Sequence, residues 1–184
     1  MKKLFIIALT TLGFTFAAQA QDDDIVGQTA QGKWLIEANT NTSGDIEALI
    51  SGIKGPGNTG FSFTTVDGET IWNIGIEGGY FVVDDLAVKV GLGYGDYFSD
   101  GIFSYKVGAK YYINSQIPVG VDLNGVSVNN YNSMYIGAQA GYAWFLGKNV
   151  SVEPALRYDI GMNEDAGDGD FNPLSVRIGF VLHF

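Results

Sequence analysis

Val176, Ile178, Phe180, Leu182 and Phe184 alternate with Ser175, Arg177, Gly179 and His183 at the end of the chain, and Val181 is the one apolar member of the second set. Successive side chains of an extended strand point to opposite faces, so the segment presents one wholly apolar face and one polar face. The apolar face persists to the terminal Phe184. A sheet in water has little reason to keep such a face to its last residue. A strand that closes a barrel in lipid does.

Seven further segments carry the same period. They run from Lys33 to Asn41, Thr70 to Phe81, Leu86 to Tyr97, Ile102 to Ile113, Ile117 to Asn124, Ser133 to Phe145 and Val150 to Met162, with Pro173 to Phe184 the eighth. The connections alternate in kind. Val82–Asp85, Asn114–Gln116 and Leu146–Asn149 are short turns, whereas Thr42–Glu69, Ser99–Gly101, Gly125–Asn132 and Asn163–Asn172 form the other set, three of them longer. Short periplasmic turns opposite longer outer loops point to an all-β fold, an eight-stranded antiparallel up-and-down transmembrane β-barrel. An even strand count places both termini on the periplasmic side. Within the first loop, Asp45–Lys54 could form a short amphipathic helix. Phe61–Val66 could extend the second strand or make a small hairpin above the membrane, and ten strands are the alternative count.

The amino-terminal end agrees. Met1-Lys2-Lys3 precedes a mostly apolar run from Leu4 to Ala18, and Ala18-Gln19-Ala20 offers a small-x-small cleavage site. The run is too short for a membrane helix, so residues 1–20 read as a secretory signal peptide. Residues 21–32, with Asp22-Asp23-Asp24, are then a periplasmic lead, and 33–184 the barrel. The chain has no cysteine, which excludes thiol chemistry and a lipoprotein anchor. Loss of Lys2 and Lys3 takes the formal charge from −10 to about −12. Nucleic-acid binding, which calls for a basic face, is excluded. The location these features predict is the outer membrane of a Gram-negative bacterium, in the form of a monomer.

Two hairpins carry a family resemblance. Gly79-Tyr80-Phe81-Val82-Val83-Asp84-Asp85-Leu86-Ala87-Val88-Lys89-Val90-Gly91-Leu92-Gly93-Tyr94 resembles the second hairpin of the porin-family outer membrane protein beta-barrel domain, and Gly147–Tyr158 the hairpin before its last strand. The resemblance implies the small eight-stranded fold of the OmpX and OmpA-membrane-domain type. It carries no activity, and no periplasmic peptidoglycan-binding domain accompanies it here. It also implies that Phe184 is the recognition signal for the barrel assembly machinery, reached with the help of periplasmic chaperones.

Strand parity sorts the side chains. The outward faces are apolar, as contact with outer-membrane lipid demands, since a central Arg or Lys would cost about 2–4 kcal/mol. Aromatics gather at strand ends. Trp34, Tyr80, Tyr111, Trp144 and Phe184 suit a periplasmic girdle; Trp72, Tyr94, Phe103, Tyr105 and Tyr158 suit an outer one. The inward faces carry Glu37, Glu77, Asp122, Glu153 and Asp159 against Lys89, Lys106, Lys110, Arg157 and Arg177. Eight strands enclose only enough space for side chains, so these ten residues form a structural charge network among inward glycines. The hairpin through Asp84-Asp85 puts Glu77 roughly opposite Lys89.

Chemistry beyond this is sparse. The only histidine, His183, lies inward beside the periplasmic end, with no convergent nucleophile and base, so an enzyme is not expected. Gly91-Leu92-Gly93-Tyr94-Gly95 sits inside a strand and lacks nucleotide-loop spacing. Asn163–Asp170 is acidic but departs from EF-hand spacing, so neither cofactor nor resident metal is expected. The outer loops hold Asp45, Glu47, Asp67, Glu69, Asp96, Asp100, Glu164, Asp165, Asp168 and Asp170 against Lys54. Such a rim attracts divalent cations or basic partners. The leading functional expectation is a structural or surface-interaction role through these loops. A narrow pore or small-solute binder comes second, and a soluble lipocalin-like barrel third.

Overall fold

The computed structural model describes residues 27–42, 56–57, 59–66, 69–97, 100–129 and 131–184. The strands are β1 (Trp34–Thr42), β2 (Ser62–Val66), β3 (Glu69–Val83), β4 (Leu86–Tyr97), β5 (Asp100–Ile113), β6 (Ile117–Val128), β7 (Tyr131–Gly141), β8 (Trp144–Phe145), β9 (Val150–Gly161) and β10 (Leu174–His183). From β2 to β7, and from β9 to β10, neighbours in sequence are neighbours in the sheet; β7 pairs with β9, and β1 closes the ring by pairing with β10 on one side and β3 on the other. All these ladders are antiparallel. β8 continues the line of β7 along β9, so the closed wall has eight strands, as the alternation predicts.

Two connections are tighter than expected. β6 continues to Val128 and pairs with β7 through Val128↔Tyr131, so Gly125–Asn132 is strand and sharp turn, with Asn129 at φ 49°. Val126 and Val128 alternate inward there and pack with Ile102. The Ser99–Gly101 connection also shortens, because β5 begins at Asp100.

The first loop contributes to the wall itself. β1 and β3 pair only from Trp34↔Tyr80 to Glu37↔Glu77. Beyond that point β2 lies beside β3, from Ser62↔Asn73 to Val66↔Glu69, and meets β1 through Thr40↔Phe61. Phe61 and Phe63 face outward with the other apolar residues. Phe61–Val66 is therefore not an extension of the second strand: β2 and the start of β3 form a small hairpin, and β2 fills the upper part of the seam between β1 and β3. The Asp45–Lys54 helix, the signal peptide and the Asp22–Asp24 lead lie outside the described residues.

Parity holds around the ring. Outward Val90 and Val121 are each 60% exposed, whereas inward Glu77 and Arg157 are 1% and 0% exposed. Charge inside and hydrocarbon outside is the reverse of a soluble barrel, and it is the arrangement that lipid requires. Among the described residues no helix is long and apolar enough to cross a membrane.

Candidate functional site

Among the described residues the buried charges lie in the lumen, so the site is built from the turn end, where Gly27–Lys33 and Phe184 lie, towards the loops. The first layer is apolar. Leu35, Phe81, Ala87, Tyr112, Ala143 and Val181 are buried together, with Phe145 and His183 against them. Val181 and Leu35, exceptions to an otherwise polar inward face, are the residues this layer needs. Beneath it the chain before β1 crosses the opening. Gln28 donates to the Gly147 carbonyl at 2.7 Å, Gln31 N–H to Asp84 at 2.8 Å, and Thr29 Oγ1 to Asp85.

The second layer is a chain of alternating charges. Lys106 meets Glu77 at 2.6 Å, Glu77 meets Lys89 at 2.7 Å, and Lys89 meets Glu37 at 2.5 Å. Glu37 then meets Lys110 at 2.8 Å, and Lys110 meets Glu153 at 2.5 Å. Five strands supply these six side chains, so the chain stitches the wall across its interior. Tyr112 Oη and Ser151 Oγ donate to Glu153, and Asn39 donates to Glu37 and Glu77. A buried pair is tolerated only when its remaining hydrogen-bonding capacity is met, and here it is met. The expected alignment of Glu77 with Lys89 is corrected by two residues: Glu77 faces Gly91, and Lys89 faces Gly79. The pair forms on the diagonal because long side chains reach across the glycines.

The third layer is an acid–arginine–acid cluster. Arg157 grips Asp122 with Nη1 at 2.5 Å and Nη2 at 2.6 Å, and Asp159 with Nε at 2.9 Å and Nη2 at 2.7 Å. Asn124 donates to both aspartates at 3.0 Å. Between the second and third layers a small cavity is lined by Glu77, Lys89, Lys106, Lys110, Asp122 and Gln139, with room for about one water molecule. Nine of the ten residues read as a network are thus in ion-pair contact. Arg177 is not: it is 3% exposed, and its Nε and Nη2 have no hydrogen-bond partner.

A strap from the first loop completes the filling. Gly57 N–H donates to Asn124 Oδ1 at 2.8 Å, and Thr59 Oγ1 donates to Glu77 Oε1 at 2.5 Å. The strap then passes between β1 and β3 into β2, where Phe61 N–H donates to the Asn39 carbonyl at 2.7 Å. The passage requires glycine. A Cβ on Gly60 would overlap the Asn39 backbone, and one on Gly75 would lie 2.6 Å from the Thr59 carbonyl carbon. Sequence reasoning missed this strap. Its signal was the density of glycine in Gly55-Pro56-Gly57-Asn58-Thr59-Gly60, which suits backbone held close to backbone.

The remaining expected residues fall as follows. Trp34 packs on Tyr80 with ring centroids 4.9 Å apart, and Trp72 on Tyr94 at 6.2 Å, at opposite ends of the outer wall. Tyr111, Trp144, Phe103 and Tyr158 also face outward, and Phe184 is exposed beside Trp34. Tyr105 shares their face and bonds Asn132 at 3.0 Å. His183 has a partner the sequence did not reveal: Ser151 Oγ lies 3.1 Å from its Nε2. Ser151 gives its own proton to Glu153, so it accepts from His183, the wrong polarity for an activated nucleophile. Both residues are fully buried. In the last loop Asp165 accepts from Asn132 N–H at 2.9 Å, and among the described residues no three acidic or histidine groups converge as a metal site.

The fold and its closed antiparallel wall define a transmembrane β-barrel. No family model matches the chain, and no curated protein does. Among solved structures, it is similar to the N-terminal β-barrel domain of OprF from Pseudomonas aeruginosa, at 15% identity over 84% of this chain and 98% of that one, with a TM-score of 0.45. OprG from the same organism is similar at 13% identity, 85% and 98% coverage and a TM-score of 0.49. Neisserial surface protein A is similar at 16% identity, 82% and 93% coverage and a TM-score of 0.41. The barrel rests on its own closed hydrogen bonding, and these likenesses say nothing about activity.

Proposed function

We propose that this protein is a small outer-membrane barrel, with both termini periplasmic, whose interior is a rigid filling and whose role is exercised at the outer loops, as a structural or surface-interaction protein. The observation that carries the reading is the unbroken chain from Lys106 to Glu153, closed by an apolar layer on one side and the strap on the other. A path for ions would need continuous water, and the cavity between the second and third layers has room for about one molecule. The purified barrel in planar bilayers should therefore show no stable, reproducible openings. Steady single-channel steps would move the assignment to the narrow-pore reading. The acidic loops are the surface left for partners, whether divalent cations bridging anionic lipid or basic groups of another protein.

Phe184 is assigned to assembly rather than to stability. It lies 55% exposed at the end of β10, and its backbone is paired with Trp34 at 2.7 and 3.0 Å, contacts that its side chain does not make. Phe184→Ala should slow insertion into membranes carrying the assembly machinery several-fold while changing the urea midpoint of the folded barrel little, a small loss of outward apolar area. Normal insertion kinetics would remove the assignment.

A further inference from the structure

The charge chain of the second layer ends at Lys106 with donors to spare. An ammonium carries three N–H groups. Lys89 and Lys110 each reach two carboxylates, whereas Lys106 reaches one among the described residues, Glu77 Oε1 at 2.6 Å. Lys106 is 6% exposed, so bulk water does not meet the remainder. It borders instead on the cavity between the second and third layers, with Asp122 and the Gln139 amide on the same lining. Asp122 Oδ1 accepts from Asn124 and Arg157, and Oδ2 from Arg157 alone, which leaves Oδ2 the capacity for a further bond. Gly108 stands opposite Asp122 and Gly120 opposite Gln139, so the space stays open where two inward positions carry no side chain.

Charge and size decide what fits. A cation would lie against three ammonium groups, Lys89, Lys106 and Lys110, whose matching glutamates are already engaged. An anion would lie against Asp122, one of two carboxylates that share a single guanidinium. The occupant is therefore neutral, both accepts and donates, and is no larger than one water. We propose that this cavity binds a single water molecule, which accepts from Lys106 Nζ, donates to Asp122 Oδ2 and has Gln139 as its third partner. That water joins the two charge layers into one network, which starts at Glu153 and ends at Asp159 on the same strand, β9. This goes beyond the sealed-barrel reading, because it concerns one resident solvent molecule and is read without any measurement of current.

The test has two arms. Crystals of the full barrel grown from sodium chloride, and again from sodium bromide, should show one density peak at hydrogen-bond distance, about 2.7–3.2 Å, from Lys106 Nζ and Asp122 Oδ2. The peak should carry no anomalous signal in bromide. A void, or a bromide peak, would overturn the site. The second arm is Gly120→Ala. A Cβ there lies 3.2 Å from Gln139 Cγ and 3.3 Å from the Ala109 carbonyl oxygen, so it enters the cavity with small shifts. Filling an empty cavity and stiffening the unfolded chain would raise the urea midpoint. Displacing a bound water instead strands Lys106 and Asp122, and should raise the unfolding equilibrium constant about tenfold. In a Lys106→Met background the water has lost its donor, and the same alanine should cost much less. A raised midpoint, or an equal fall in both backgrounds, would show strain or empty space rather than water. If Lys106→Met does not fold, the density decides the matter.

Discussion

Replacing Arg157 with methionine should lower the unfolding free energy of the barrel by about 3–5 kcal/mol, the loss expected when one member of a buried ionic cluster is removed. Arg157 donates to both carboxylates of its cluster with three of its nitrogens, and it is fully buried. Without it, Asp122 and Asp159 face each other with only the Asn124 amide between them. The aspartates would have to take up protons or draw water into the wall. Adding Asp122→Asn and Asp159→Asn to Arg157→Met should return most of the loss, because the uncompensated charges leave with their partner. Urea midpoints in lipid vesicles, followed by tryptophan emission, measure both steps. A single variant no weaker than wild type would show that the cluster contributes nothing to holding β6 against β9.

Gly137→Val should be the most damaging single-residue change on β7. Gly137 lies between Asp122 on β6 and Asp159 on β9, facing inward. A Cβ there overlaps the Arg157 guanidinium and comes within 2.6 Å of Asp159 Oδ1. The added side chain pushes the arginine from both acids at once, so about 1–3 kcal/mol of overpacking adds to the broken hydrogen bonds. Gly78 is the control. It lies on the outward face, a Cβ there meets nothing within 4 Å, and Gly78→Ala should be nearly neutral. Equal midpoints for the two variants would count against the guanidinium as the reason for glycine at 137.

Much of the fold was legible because a barrel in lipid obeys one rule on every strand. Parity alone placed Arg157 inward and Val90 outward, since the two faces meet surroundings as different as hydrocarbon and a buried network of paired charges. Depth along the barrel was not legible. Parity says which side of the wall Glu77 faces, but the tilt of the strands decides that it sits across from Gly91. For the same reason an equal count of acids and bases concealed that Arg157 serves two acids and Arg177 none. Ser151 and His183 met unannounced, because β9 and β10 approach there by a register that neither strand encodes alone. The strap was hidden for a different cause: a segment that crosses the lumen and bonds single residues of β3 and β6 has no two-faced environment, and so shows no alternation to read.

The seam has a mechanical consequence. β1 is bound to β10 over eight residue pairs but to β3 over four, and the rest of that edge is bridged by a hairpin attached to β3. Under load the cylinder has a built-in tear line, with the first strand departing from its sequence neighbours and remaining zipped to the last. The cylinder would open into a sheet with the two ends of the polypeptide together along one free edge, where β10 stays joined to β9 over nine pairs.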